Sequence, residues 1–115
     1  METGEFWTLE RGFWLEGEEH YRKRLNSRAL MIFPSPVGIL SGDDTIIAAL
    51  QAAPRWASVD FFDQALEAHD CATTLAYRAT ARREGEAGYH ALCSSTYVDT
   101  GDGWKLALHQ QTPIG

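Results

Sequence analysis

The chain is poor in cysteine. Two residues, Cys71 and Cys93, occur among 115, with no motif spacing. A disulfide framework and a cysteine-based metal site are excluded as organising principles, and both thiols read as free, as in a cytoplasmic protein. Cations are also scarce. Ten Lys and Arg stand against 16 Asp and Glu, a formal net charge of −6. A phosphate backbone is repelled by such a surface, so nucleic acid is not an expected partner. The one basic cluster, Arg22-Lys23-Arg24 with Arg28, is diluted by Glu16, Glu18 and Glu19 and reads as a solvated helix face. No apolar run is long enough to span a bilayer, so no membrane contact is expected. The acidic start METGEF lacks the basic-then-apolar order of a secretory signal. HExxH, paired Cys/His spacings, GxGxxG, a Walker loop and a nucleophile elbow are all missing. His20, His69 and His90 share no ligand spacing, and no metal or cofactor is expected.

What the chain has is aromatic mass: four Trp, five Phe and four Tyr in a composition that is 44% apolar. That is enough to build one core, and one domain over residues 1–115 is expected. Phe6, Leu9 and Phe13 recur at helical spacing and predict a helix over residues 5–15, ended by Gly17. Gly12 weakens it by about 1 kcal/mol relative to Ala. A second short helix follows over residues 18–25, with Tyr21 and Leu25 on one side. Residues 29–33 read as a strand stopped by Pro34 and Pro36, and Ile39-Leu40 as a short return strand. Ser41-Gly-Asp-Asp-Thr opens a third helix, with Asp43 or Asp44 placed to cap its amides and Pro54 to stop it. From Trp56 onward the pattern is strand throughout. Helices first and then a long antiparallel sheet make the fold class α+β.

The last hairpin can be set in register. If Asp99 and Trp104 close a four-residue loop, Val98 faces Lys105, Thr96 faces Ala107, Ser94 faces His109 and Leu92 faces Gln111. These would share one face, turned toward a pocket. Tyr97 with Leu106, Ser95 with Leu108, and Cys93 with Gln110 would occupy the other. That second face, with Trp104, Leu106, Leu108 and Tyr97, is too apolar to be wet. It predicts a homodimer packed through the outer face of the sheet. A one-residue slip would exchange the two faces.

The pocket side supplies the candidates. His109 is read three ways: a buried structural imidazole, a ligand contact, or a group that moves a proton near neutrality. Ser94, beside it in this register, would hold its tautomer or bind a polar ligand atom. Together they are the candidate catalytic pair. Gln111 suits an amide, hydroxyl or carboxylate. Tyr21, Phe33 and Leu92 complete the candidate ligand contacts, with the expectation that Phe33 lines the cavity between helices and sheet. A hydrolytic triad would need an acid near the imidazole. Asp60, Asp63 and Glu67 lie on another strand and do not supply one reliably.

FWTLERGFWLEGEEHY, LMIFPSPVGILSGDDTIIAAL and GWKLALHQQTP, taken in this order, resemble the nuclear transport factor 2-like superfamily and its small SnoaL-like and ketosteroid-isomerase-like members. The resemblance covers nearly the whole chain. It implies a cone, also described as cystatin-like: three N-terminal helices packed in a strongly curved mixed, mostly antiparallel sheet around a pocket, often dimeric through the outer sheet. It does not choose among isomerases, cyclases, dehydratases and non-catalytic binding domains. The proton-shuttling Asp of the steroid isomerases, immediately before the Pro of IFPSPVG, is Phe33 here. Their oxyanion-hole Asp maps near Ser94, and their first-helix Tyr is missing, with Tyr21 on the next helix as a substitute. Three readings follow: a homodimeric domain binding a small apolar organic ligand; a cofactor-free isomerase, dehydratase or cyclase using His109 for proton transfer; and an interaction module with a filled pocket.

Overall fold

A computed structural model of the protein describes residues 1–114, and two periodicities divide it. The first part turns at helical spacing in α1 (Thr3–Leu15), α2 (Glu18–Arg24) and α3 (Asp43–Gln51). Between α2 and α3 lie β1 (Leu25–Phe33) and β2 (Gly38–Ser41). Beyond Pro54 the period becomes two: β3 (Ser58–Ala68), β4 (Ala72–Arg82), β5 (Tyr89–Asp99) and β6 (Trp104–Pro113). In β4 and β5 nearly every second side chain is buried, which is the pattern of a sheet with one face packed. The strand order is β2-β1-β6-β5-β4-β3, and every pairing is antiparallel except β1 with β6. This is the expected α+β fold with a mixed, mostly antiparallel sheet.

The helices cover one face of that sheet. Phe6, Leu9 and Phe13 of α1 pack with Tyr21, Met31, Ile46, Leu75, Tyr97 and Leu106 in one buried cluster. Trp14, on the neighbouring stripe of α1, packs with Val59, Phe61, Tyr77 and Cys93 in a second. Gly12 has a packing reason. A Cβ there would collide with the His20 ring, which packs edge-on to Phe13 and bonds the Leu9 carbonyl through Nε2 at 3.1 Å. The helix gives up propensity at this position so that α2 can lie against α1. Two boundaries differ from expectation. β1 begins at Leu25, four residues early, because Leu25 already pairs with Leu106. The N-cap of α3 is Gly42, whose φ of 89° favours glycine, while Asp43 accepts the Asp44 amide at 2.9 Å. Among the described residues no helix is long and apolar enough to cross a membrane.

The hairpin register is a correction. Val98↔Lys105 and Tyr97↔Leu106 pair as expected, but the next pair is Thr96↔Leu108. Ala107 is an extra residue, a β-bulge. Beyond it every partner is displaced by one: Ser95 faces His109, Ser94 faces Gln110, and Cys93 faces Gln111. The bulge also lets Leu106 and His109, three residues apart, both face inward, and the hairpin lies with the opposite face of β5 inward from the one expected. Tyr97 and Leu106 are fully buried beneath the helices, and Trp104 packs against Phe6 at 5.2 Å. Of the four residues expected to form an apolar outer surface, only Leu108 lies on the outer side. The outer apolar row consists instead of Leu30, Ile32, Ile39 and Leu92, each more than a third exposed.

Candidate functional site

Glu10 is the centre of the site. It sits in the middle of the apolar stripe of α1 and is fully buried between the two aromatic clusters. Unpaired, a carboxylate there would be very costly. It is saturated instead. Tyr97 OH donates to Oε1 at 2.8 Å, and Ser95 Oγ donates to Oε2 at 2.6 Å. Tyr77 OH donates to Oε2 and accepts from Trp14 Nε1 at 3.0 Å. His109 Nδ1 lies 3.3 Å from the same Oε2. Burial alone would raise the Glu10 carboxyl, but His109, Ser95 and Tyr77 together outweigh it and hold it below the ordinary carboxylate value. Burial, with the Glu10 charge nearby, pushes both tyrosines well above their usual range, so they remain donors.

The proton positions follow from these partners. Ser95 has a single proton, and an ionised Glu10 takes it. Ser95 Oγ, 2.7 Å from His109 Nδ1, must then accept, so Nδ1 carries a hydrogen. His109 Nε2 is left as the acceptor and receives the Gln111 amide at 3.0 Å, while Tyr89 OH donates to Gln111 Oε1 at 3.0 Å. A continuous relay therefore runs from the buried carboxylate through His109 and Gln111 to Tyr89. It is not a hydrolytic triad. Ser95 is 1% exposed and lies on the Nδ1 side, between imidazole and carboxylate, where no substrate can reach it.

A cavity of about 320 Å³ opens beside this relay, between α3, the β1–β2 loop and the ends of β5 and β6. Its walls include Phe33, Leu50, Trp56 and Tyr89. A smaller space of about 60 Å³ continues inward to His109 and shares Tyr21, Phe33, Arg55, Trp56 and Gln111 with it. Phe33 lies 6.0 Å from the His109 ring, and Trp14 meets that ring edge-on at 6.1 Å. Arg55 fastens one wall. Its Nε donates to the Glu16 carbonyl at 2.9 Å and its Nη2 to the carbonyls of Phe13 and Trp14, closing the C-terminal turn of α1. Tyr21 OH donates to the Phe13 carbonyl as well, and burial pushes that phenol up to about 12.

The structure brings together four of the six residues singled out in the sequence. His109, Gln111, Tyr21 and Phe33 line the inner space. Ser94 and Leu92 do not join them. β5 alternates without a break, with Cys93, Ser95 and Tyr97 inward, so both lie on the outer face, where Ser94 donates to Gln110 at 2.7 Å and Leu92 is 49% exposed, while the Ala107 bulge brings His109 inward opposite Ser95. Ser95 occupies the place expected of Ser94. Glu10 was missed, although a signal existed: a lone carboxylate at i+4 from Phe6 and i−3 from Phe13 sits inside an apolar stripe, where an unpaired charge does not belong. Cys93 is buried, and desolvation pushes its thiol up to about 12, which makes it inert. His90 faces outward and bonds Thr80 at 3.1 Å. Among the described residues no group of three His, Cys, Asp or Glu side chains could hold a metal.

No protein-family model matches the chain, and no curated protein matches it in sequence. Solved structures do match in shape. A candidate ketosteroid isomerase from Parabacteroides distasonis superposes with a TM-score of 0.81 at 11% identity, over 95% of this chain and 85% of that one. A nuclear transport factor 2-like protein of unknown function in nutrient uptake from Rhodospirillum rubrum gives 0.80 at 16% identity, over 100% of both chains. A protein of unknown function with a cystatin-like fold from Nostoc punctiforme gives 0.67 at 16% identity, over 84% and 75%. The fold is thus nuclear transport factor 2-like, the architecture the sequence resembles.

Proposed function

We propose that this protein is a homodimeric, cytoplasmic domain that binds a small, mainly apolar organic molecule in the cavity ending at His109. One observation carries the reading: about 320 Å³ of space, walled largely by aromatic and aliphatic side chains, leads to a fixed polar end formed by His109 and Gln111. Small-molecule sites have this composition, and this volume is near the lower end of their range of roughly 300–1,000 Å³. A filled-pocket interaction module would not retain such a space. The outer apolar row of Leu30, Ile32, Ile39 and Leu92 supports a second copy packed against the sheet, and the two free thiols fit a reducing compartment. Native mass spectrometry of freshly purified protein tests this. Dimers with a retained small mass are expected, and Ala49→Phe, which fills the cavity wall, should lose that mass while remaining dimeric. Protein that carries no ligand and takes up no apolar probe would overturn the reading.

A second reading is favoured by the Glu10–His109 contact. Glu10, acting directly and through Ser95, fixes the proton on Nδ1 and leaves Nε2 as the acceptor beside the inner space, so a ligand that displaces the Gln111 amide would meet a general base there. The domain would then catalyse a cofactor-free proton transfer, as in isomerisation or dehydration. His109→Asn keeps a donor for Ser95 and removes the basic nitrogen. Exchange of solvent deuterium into a bound carbonyl compound should disappear in that variant, and exchange that persists would exclude His109 as the base.

A further inference from the structure

The cavity carries permanent charge of one sign. Arg55 and Arg83 line it, and no Asp or Glu does. This is the reverse of the chain as a whole, with its net charge of −6. Both guanidiniums meet at one short stretch, residues 54–56. Arg83 Nε donates to the Pro54 carbonyl at 3.1 Å, and its guanidinium lies 3.7 Å over the Trp56 ring. Arg55 is the residue between those two, bonded to the carbonyls of α1. Every acceptor they use is a neutral carbonyl. The ion pairs among the described residues join Arg22 to Glu18 and Arg78 to Asp63, and the one other contact of this kind is His109 with Glu10, so neither cavity arginine is neutralised. Each is half-buried and fixed in place, yet each keeps N–H groups with no protein partner among the described residues. No buried side-chain donor or acceptor there is unsatisfied, so those groups face open space. The surrounding walls are flat. The Trp56 and Tyr89 rings stack at 5.3 Å with 17° between planes, and Phe33 closes the inner side.

We infer that the ligand is an aromatic carboxylic acid, bound as its anion. Arg55 and Arg83 hold the carboxylate, and the ring lies among Phe33, Trp56 and Tyr89 toward His109. This rests on the reading of the cavity as a small-molecule site. Guanidinium–carboxylate hydrogen bonds are charge-assisted and gain strength when partly shielded from water. The inward end adds a second demand, since His109 and Gln111 suit an uncharged polar atom better than a further anion beside Glu10.

The test compares two isosteres by calorimetric titration at neutral pH: 2-naphthoate and its neutral counterpart 2-naphthamide. The unmutated protein should bind the acid about tenfold more tightly, the scale of one charge-assisted hydrogen bond. Arg83→Gln should erase most of that preference by weakening the acid alone, and Arg83→Lys should restore part of it. Amide bound as tightly as acid would overturn the anion assignment and leave the cavity reading standing. Binding of neither, to millimolar concentration, would remove both. A preference unchanged in Arg83→Gln would overturn the role of that residue. The isostere comparison needs no variant, so a poorly folded Arg83→Gln does not rescue the inference.

Discussion

At the scale of single residues, Glu10 sets the terms for its neighbours. Two tyrosines, a serine and a histidine share one carboxylate, and removing any of them leaves a buried group without its partner. The pH dependence follows in sign. In the folded chain Glu10 is held below its ordinary value of 4.5, so it binds a proton more weakly folded than unfolded. Its stabilisation is complete above about pH 4.5 and is lost as the pH falls through the lower, folded value. Urea titrations across this range should show the stability of the unmutated protein falling as the pH drops below about 4.5. Glu10→Gln should be weaker by about 3 kcal/mol at pH 7, yet should lose less on acidification, so that the two curves converge. Parallel curves would mean that Glu10 does not titrate with the fold. His20 contributes in the same direction: burial lowers its imidazole below the usual 6.5, so acid charges it more readily in the unfolded chain.

At the scale of elements, the β6 bulge separates what the sequence made legible from what it did not. Helical spacing of Phe6, Leu9 and Phe13 and the two-residue period from Ser58 onward are local signals, and the elements they predict are present. The loop between Asp99 and Trp104 set the first pairs of the hairpin correctly. Ala107 carries no local mark of a bulge, being neither glycine nor proline, so the register beyond it was invisible and Ser94 was placed where Ser95 stands. The role of Glu10 was hidden for a related reason: its partners lie 67 to 99 residues away in sequence, on three different strands, and the bulge decides that His109 is one of them. The two serines make the distinction measurable. Ser95→Ala should cost about 1–3 kcal/mol in denaturant unfolding and shift the His109 ring resonances, because it strips a donor from Glu10 and an acceptor from Nδ1. Ser94→Ala should stay within about 1 kcal/mol and leave those resonances in place. Equal effects would contradict the bulged register.

At the scale of the whole molecule, the sheet has one face closed by helices and one that is not. Leu30 and Ile32 of β1, Ile39 of β2 and Leu92 of β5 project from the open side, flanked by the partly buried Leu108. Several large apolar side chains on one uncovered sheet face suit a partner surface. Light scattering should report a dimer, and Leu92→Lys should shift it toward monomer while circular dichroism stays unchanged; a monomeric unmutated protein would refute this use of the face. The bulge has one more consequence, for assembly of the chain itself. The β5–β6 hairpin has two alignments open to it past Leu106, with and without the extra residue, and its own turn favours neither. Pairing with β1 and a carboxylate near the other end of the polypeptide favour the bulged one, because His109 meets Glu10 only there. The first helix and the last strand, at opposite extremities of the polypeptide, are thereby tied to one another's placement.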